Sequence, residues 1–204
     1  QLIGIVSPAS PPNELESIRF AMDTIESLGF RVRPAAHLFD RSGYLAGVDA
    51  ARASDLNALF ADESVDAIFS LRGGYGSSRL LPLLDFDLIR ANPKALLCYS
   101  DITSLLLSIY HKTGMVTFHG PIAAQTITPY TLAEFKKVLV DPQPPVQIAA
   151  PPPFERGEGR VEKVNRIRSL VPGKVQGRLL GGNLSLVTHL VGTPYLPDLS
   201  GTIL

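Results

Sequence analysis

Residues 94–103 decide the predicted fold, and they read Lys94-Ala95-Leu96-Leu97-Cys98-Tyr99-Ser100-Asp101-Ile102-Thr103. The apolar run that follows Pro93 is typical of a buried strand that ends at the serine. Residues 101–113 then repeat apolar side chains at helical spacing, namely Ile102, Leu105, Leu106 and Ile109. Ser100 is therefore predicted at a strand-to-helix junction, which is the layout of a nucleophile elbow.

A serine at such a junction is a candidate nucleophile. Its hydroxyl can stand clear of the sheet, and the amide of Asp101 at the positive end of the helix can stabilise an oxyanion. The pattern predicts acyl-transfer chemistry, although Cys98 and Ile102 replace the glycines of the strict elbow motif. On this segment alone a second interpretation stays open, in which Ser100 only caps the helix.

A glycine-rich loop, Arg72-Gly73-Gly74-Tyr75-Gly76, follows the strand-like residues 67–71 and precedes the helix-like residues 77–84. Paired glycines let the backbone approach a ligand, and exposed amides before a helix attract anions. The loop is therefore predicted to give a second oxyanion amide or to bind a carboxylate, with a plain tight turn as the alternative. Its spacing fits neither a dinucleotide fingerprint nor a phosphate-binding loop.

Strand-like and helix-like segments alternate along the first part of the chain. The first helix is predicted to begin with Asn13 as its cap and Glu16 three residues later, and to end at Gly29. Such alternation predicts an α/β fold, a mostly parallel sheet with helices on both faces. The expected strands are residues 2–6, 30–33, 67–71, 95–99 and 115–118.

The carboxyl ends of parallel strands gather at one edge of the sheet, where ligands bind in such folds. Four segments follow directly after predicted strands, namely Ser7, residues 72–76, Ser100 and His119. We expect them to converge on one site.

The sequence predicts three regions. Residues 1–140 form an N-terminal α/β domain with the nucleophile, and residues 141–154 form a proline-rich linker. Residues 155–204 begin a second, smaller β-rich domain that is incomplete, with short strands near 169–171 and 174–180 and a helix over 183–191.

Composition excludes several function classes. The 204 residues carry 19 basic and 19 acidic side chains, so there is no electrostatic case for binding nucleic acid. One cysteine allows no internal disulfide, and no His/Cys cluster has metal-ligand spacing, so neither a metal nor another cofactor is expected. No stretch approaches the roughly 20 apolar residues of a membrane span, and a cytoplasmic location without membrane contact is predicted.

Blocks of sequence over nearly the whole chain resemble one family, the serine LD-carboxypeptidases, which are related to the microcin C self-immunity peptidases. Among these blocks, residues 99–103 match the family's Gly-Tyr-Ser-Asp motif, with Ser100 at the nucleophile and Cys98 at the usual glycine. The blocks lie at residues 4–10, 72–76, 79–82, 92–94, 99–103, 119–121, 180–184 and 192–195.

The resemblance implies a hydrolase of cell-wall recycling that removes terminal D-alanine from a murein tetrapeptide, at its bond to the L-centre of diaminopimelate. It implies a Ser-Glu-His triad whose glutamate and histidine lie beyond Leu204, in a C-terminal segment needed to complete the site. The implied oxyanion and substrate-binding residues are Asp101, Gly74, Gly73, Tyr75 and His119. His119 is also the best candidate for a base within this chain.

Two other functions stay open. One is the microcin C immunity activity on an aminoacyl-nucleotide analogue, and the other is a non-catalytic module that binds peptidoglycan fragments. The expected partner is a murein peptide. We also expect residues 174–204 to pair with further chain or with a neighbouring molecule, which makes a homodimer possible.

Overall fold

The computed structural model describes residues 1–121, 127–151 and 169–204. Its centre is a five-stranded sheet in the order β2-β1-β3-β4-β5, and every neighbouring pair is parallel. The prediction of an α/β fold built on a parallel sheet is confirmed. The strands are β1 (Leu2–Val6), β2 (Arg31–Pro34), β3 (Ala67–Ser70), β4 (Ala95–Cys98) and β5 (Phe118–His119).

Helices join these strands and pack against the sheet. Two short 3₁₀ helices, Ser77–Leu83 and Ser100–Ile102, begin at the loops that follow β3 and β4. The α-helices of this part are α1 (Leu15–Ser27), α2 (Asp49–Ala61), α3 (Phe86–Ala91) and α4 (Thr103–Thr113).

The central strands are apolar because both faces of the sheet are covered. All residues of β1 and β3 are buried, as are the last three of β4. Parallel sheets that are packed on both sides need such continuous apolar runs. The same core includes buried leucines from α2 and α4, such as Leu56 and Leu105.

The start of α1 differs from the prediction. Its N-cap is Glu14, which makes no side-chain cap bond, and the helix begins at Leu15. Asn13 does not cap the helix because its side-chain oxygen accepts a hydrogen bond from Arg72 Nη1 at 2.8 Å instead. The predicted end is confirmed, since Gly29 adopts a φ of 91° and donates to Glu26 O.

The described chain groups into two compact units, residues 1–125 with 178–204 and residues 126–177. In the first unit, β6 (Arg178–Leu179) pairs in parallel with β7 (Thr202–Ile203), and α6 spans Leu184–His189. Leu180, Val187 and Leu190 join the core there.

The strands expected near residues 169–171 and over 174–180 are not formed as predicted. Residues 169–171 are irregular, and the second strand is limited to β6. Leu170 and Val171 are 96% and 87% exposed, so the described residues offer their apolar side chains no surface to pack against as a strand.

The second unit contains α5 (Pro129–Phe135), which continues as one turn of π-helix over Lys136–Val140. Thr128 caps α5 by accepting from the amide of Thr131 at 3.1 Å. The predicted linker and second domain stay predictions, because residues 152–168 lie outside the described part. In the portion of the chain that the structure describes, no helix has the length and apolarity of a bilayer span.

Candidate active site

Ser100 sits where β4 gives way to the 3₁₀ helix that leads into α4. Its φ is 61°, and no other described non-glycine residue has a positive φ. Residues other than glycine rarely adopt a positive φ, and such strained backbone conformations cluster at active sites. Ser100 is only half-buried, so a strained turn presents its hydroxyl at the end of a buried strand. This is the geometry of a nucleophile elbow.

The capping interpretation of Ser100 does not fit the geometry. The amide of Ile102 donates to Tyr99 O at 3.3 Å, and the amide of Thr103 donates to backbone carbonyls. No side chain caps the 3₁₀ helix at its start. Within the described residues, the Ser100 hydroxyl therefore has no capping role.

Asp101 offers its amide at the elbow and uses its side chain elsewhere. Among described residues the Asp101 amide meets no acceptor, so it is available to a ligand. The buried carboxylate accepts from the amide of Ser77 at 2.8 Å, and the Ser77 hydroxyl donates to Asp101 O at 2.6 Å. These two bonds fasten the elbow to the segment that follows the glycine loop.

The glycine loop lies directly against the elbow. A Cβ added at Gly73 would fall 2.9 Å from Ser100 Cβ and 3.3 Å from Tyr99 O, so no side chain fits there. Gly74 has a φ of 116°, and a Cβ there would fall 2.5 Å from the side chain of Ser10. Ser10 ties the loop to the segment that follows β1, because its amide donates to Gly73 O and its hydroxyl accepts from Tyr75 N.

Tyr75 projects from the loop into solvent. Its side chain is 64% exposed, and its ring meets Tyr44 edge-on at a centroid distance of 6.1 Å. The amide of the preceding Gly74 donates to no described residue. The loop thus offers a free amide next to Gly73, which packs against Ser100, and an exposed aromatic ring at Tyr75.

Arg52, which was not predicted from the sequence, supports the glycine loop through hydrogen bonds to backbone carbonyls. It is 1% exposed, and its Nη1 donates to Pro8 O at 2.5 Å and to Gly76 O at 3.1 Å. Its Nη2 contacts Asp49, which also pairs with Arg79. Burial lowers the pKa of the Arg52 guanidinium from its ordinary value. An arginine among the apolar positions of α2 was the only signal in the sequence.

His119 lies at the end of β5, next to the elbow. Its Nε2 accepts a hydrogen bond from the amide of Ser100 at 3.3 Å. Partial burial of the ring lowers the pKa of His119, which favours the neutral imidazole that can accept this bond. All four histidines belong to the described residues, and the others lie apart: His37 pairs with Asp55, and His111 and His189 lie in the last turns of α4 and α6.

Cys98 packs beneath the elbow. It is fully buried, and burial raises the pKa of its thiol to about 12, so the unreactive protonated form persists. No group of acidic, histidine or cysteine side chains suited to hold a metal ion occurs in the described residues.

A C-terminal segment also reaches the elbow, and the sequence analysis did not assign it a role. Thr103 Oγ1 donates to Ser100 O at 2.7 Å and accepts from the amide of Asn183 at 3.0 Å. A Cβ added at Gly182 would lie 2.5 Å from Thr103 Oγ1 and 3.1 Å from the ring of His119. The only sequence signal was that both segments fall in family-like blocks.

Family models match both parts of this unit. Residues 3–120 match the LD-carboxypeptidase N-terminal domain, and residues 176–204 match the LD-carboxypeptidase C-terminal domain. The chain belongs to the LD-carboxypeptidase family. The elbow at Ser100, the glycine loop and His119 all fall within the N-terminal match.

Individual relatives agree with this assignment. The chain is 38% identical over 208 residues to the probable murein peptide carboxypeptidase of Bacillus subtilis (strain 168), with 99% of the chain and 60% of the relative covered. It is 32% identical over 222 residues to the microcin C7 self-immunity protein MccF of Escherichia coli, covering 99% and 64%.

A solved structure shows the same fold. The crystal structure of an MccF-like protein from Bacillus anthracis str. Ames superposes with a TM-score of 0.83 at 29% identity, covering 99% of this chain and 65% of that one. The chain thus spans less than two thirds of these three proteins, between 60% and 65% of their length.

Proposed function

We propose that the protein containing this chain is a cytoplasmic serine-type LD-carboxypeptidase that releases terminal D-alanine from murein tetrapeptides in cell-wall recycling. The observation that carries the proposal is the strained φ of 61° at Ser100, packed against Gly73. The name of the Bacillus subtilis relative supports a murein peptide as the substrate class.

In the proposed mechanism, Ser100 Oγ attacks the carbonyl of the bond between diaminopimelate and D-alanine. A base takes the hydroxyl proton and later gives it to the amine of the departing D-alanine. Water then hydrolyses the acyl-enzyme. The reaction calls on no metal or organic cofactor.

The oxyanion of the tetrahedral intermediate is assigned to the amides of Asp101 and Gly74. Both are free of acceptors among the described residues, and Gly73 brings the loop into contact with the elbow. Each such donor contributes about 3 kcal/mol to lowering the barrier in acyl-transfer enzymes. Gly73 and His119 lie next to Ser100, and with Tyr75 of the same loop they are assigned to substrate contact or to holding the elbow.

The base and its orienting group are assigned to a histidine and a glutamate beyond Leu204. His119 is the one histidine of this chain close to Ser100, and its Nε2 is already engaged with the Ser100 amide. To act as the general base, His119 would have to accept the proton of the serine hydroxyl on the Nε2 lone pair that this bond occupies. The greater length of the relatives leaves room for the other two triad members.

The test compares two substrates with the full-length protein. Released D-alanine is measured with a murein tetrapeptide, and released amino acid is measured with an aminoacyl-nucleotide analogue. We expect the tetrapeptide to be the better substrate by kcat/KM. Cleavage of the nucleotide analogue alone would favour the immunity activity, which the similarity to MccF keeps as the second candidate. Binding of the tetrapeptide without turnover would favour a binding module.

A further inference from the structure

The proposed oxyanion donor and the carbonyl of Ser100 belong to one peptide unit. The amide of Asp101 is at one end of that unit, and Ser100 O is at the other end, where it accepts from Thr103 Oγ1 at 2.7 Å. A hydrogen bond to a carbonyl fixes the plane of its peptide group and polarises the N–H at the opposite end. Thr103 therefore acts on the direction and strength of the Asp101 donor without touching a substrate.

The Thr103 hydroxyl has no freedom to turn elsewhere. The residue is fully buried, and its oxygen accepts from the Asn183 amide at 3.0 Å while its single proton goes to Ser100 O. The missing side chain at Gly182 permits this approach, since a Cβ there would lie 2.5 Å from Thr103 Oγ1. Residues 182–183 therefore hold the hydroxyl in the one orientation that points its proton at the elbow.

We propose that Thr103 is a positioning residue for the oxyanion site, and that residues 182–183 lock it in place. This inference rests on the proposed function, because it assigns the Asp101 amide to the oxyanion. Threonines in helices often bond back to a carbonyl three or four residues earlier without any functional role. What distinguishes Thr103 is the carbonyl that it binds and a second partner 80 positions away in the chain.

Thr113, at the end of the same helix, provides a matched control. Its hydroxyl donates to Ile109 O at 2.6 Å and accepts from the amide of Met115 at 3.1 Å. It thus makes the same pair of bonds as Thr103, away from the site. Thr113→Val measures what the loss of such a pair costs in stability alone.

The experiment measures kcat, KM and thermal unfolding of the full-length protein with Thr103→Val, Thr103→Ser and Thr113→Val. We expect Thr103→Val to lower kcat about tenfold while KM changes less than about twofold, since the lost orientation acts in the transition state. Thr103→Ser keeps the hydroxyl and should retain kcat within about threefold of the unmodified protein. Thr113→Val should lower the melting temperature but leave kcat unchanged.

A substrate-independent readout separates this inference from the proposed substrate. The rate at which an alkyl fluorophosphonate labels Ser100 depends on the oxyanion site but not on peptide recognition. Labelling of the unmodified protein without peptide turnover would remove the proposed substrate, and slower labelling of Thr103→Val would still support the positioning role. Equal labelling rates and equal kcat for Thr103→Val and Thr113→Val would overturn it. If Ser100 is neither labelled nor active, the nucleophile assignment and this inference fail together.

Discussion

His119 holds the backbone of Ser100 through the lone pair of its Nε2 atom. Its Nε2 accepts from the Ser100 amide at 3.3 Å, so the imidazole braces the backbone of the elbow. Together with Thr103 at Ser100 O, it holds both polar backbone groups of the nucleophile. A strained φ persists only where the surroundings fix it in this way.

Replacing His119 by glutamine tests this role, because glutamine retains an acceptor for the Ser100 amide but cannot serve as a base. In the full-length protein we expect kcat for D-alanine release to fall by less than about tenfold, whereas loss of a triad member costs several orders of magnitude. A loss as large as that of Ser100→Ala would identify His119 as the base.

The same residue predicts a pH dependence of stability. Burial lowers the pKa of His119 below its ordinary 6.5 in the folded chain, so the unfolded chain binds a proton first as the pH falls. The free energy of unfolding should therefore decrease as the pH falls below about 6.5. Above that pH, His119 is neutral in both the folded and the unfolded chain and should not make stability depend on pH. The difference in stability between the unmodified protein and His119→Gln, measured by urea unfolding from pH 7.5 to 5, should shrink towards acid. A difference that is constant over this range would contradict the assignment.

The positions of Ser100, Asp101 and Gly74 could be predicted from sequence because the signals are local: a strand-to-helix junction and paired glycines. Arg52 and Thr103 could not, since their partners Gly76 and Asn183 lie 24 and 80 positions away. A single sequence does not show which distant residue such a side chain contacts. Even the Asn13 cap was wrong because Arg72, 59 positions away, competes for its side chain.

Among the elements of the fold, the glycine loop is packed tightly, because a Cβ added at Gly73, Gly74 or Gly76 would fall within 3.0 Å of another residue. A side chain at Gly74 would crowd the space beside the loop amide. The φ of 116° and the 2.5 Å approach of Ser10 to an added Cβ show that stability must fall as well. The loop to which we assign an oxyanion donor is thus a structural element as well.

Gly74→Ala should therefore destabilise the protein by about 2 to 3 kcal/mol, from backbone strain and overlap with Ser10, and should lower kcat by about tenfold or more by moving the loop amide. Gly43→Ala is the control, because Gly43 has a φ of 61° with no atom within 4 Å of an added Cβ. It should cost about 1 kcal/mol of stability from backbone conformation alone and leave kcat unchanged. Full activity of Gly74→Ala would mean that the loop is merely a turn.

Arg52, the buried arginine of α2, gives a second prediction for the glycine loop. Arg52→Met keeps the side-chain volume but leaves Pro8 O without its donor, so we expect a loss of about 2 kcal/mol or more in the free energy of unfolding. Arg90→Met is the control: Arg90 also contacts an aspartate and a carbonyl, Asp87 and Lys112 O, but is 52% exposed. Its replacement should change stability by no more than about 0.5 kcal/mol. Equal effects in urea unfolding would show that Arg52 does not support the loop.

At the scale of the whole molecule, the parallel sheet could be predicted because its strands are continuous apolar runs separated by periodic helices. The helix predicted over 183–191 forms as α6, but the C-terminal strands could not be predicted, since such short strands depend on pairing rather than on composition. β6 and β7 are two residues long, and within residues 1–121, 127–151 and 169–204 they pair only with each other. Leu179 remains 76% exposed in β6, and the expectation that this segment pairs with further chain or another molecule stays a prediction.

The central claim is that Ser100 is the nucleophile of a carboxypeptidase, and one measurement tests it most directly. D-alanine release from a murein tetrapeptide is compared for the full-length protein, Ser100→Ala and Ser104→Ala. Ser104 is a buried serine of α4 whose hydroxyl has no partner among the described residues, so its removal controls for the loss of a serine near the elbow. We predict that Ser100→Ala loses several orders of magnitude in kcat with tetrapeptide affinity nearly unchanged, while Ser104→Ala stays within about twofold. Near-normal release of D-alanine by Ser100→Ala would contradict the account.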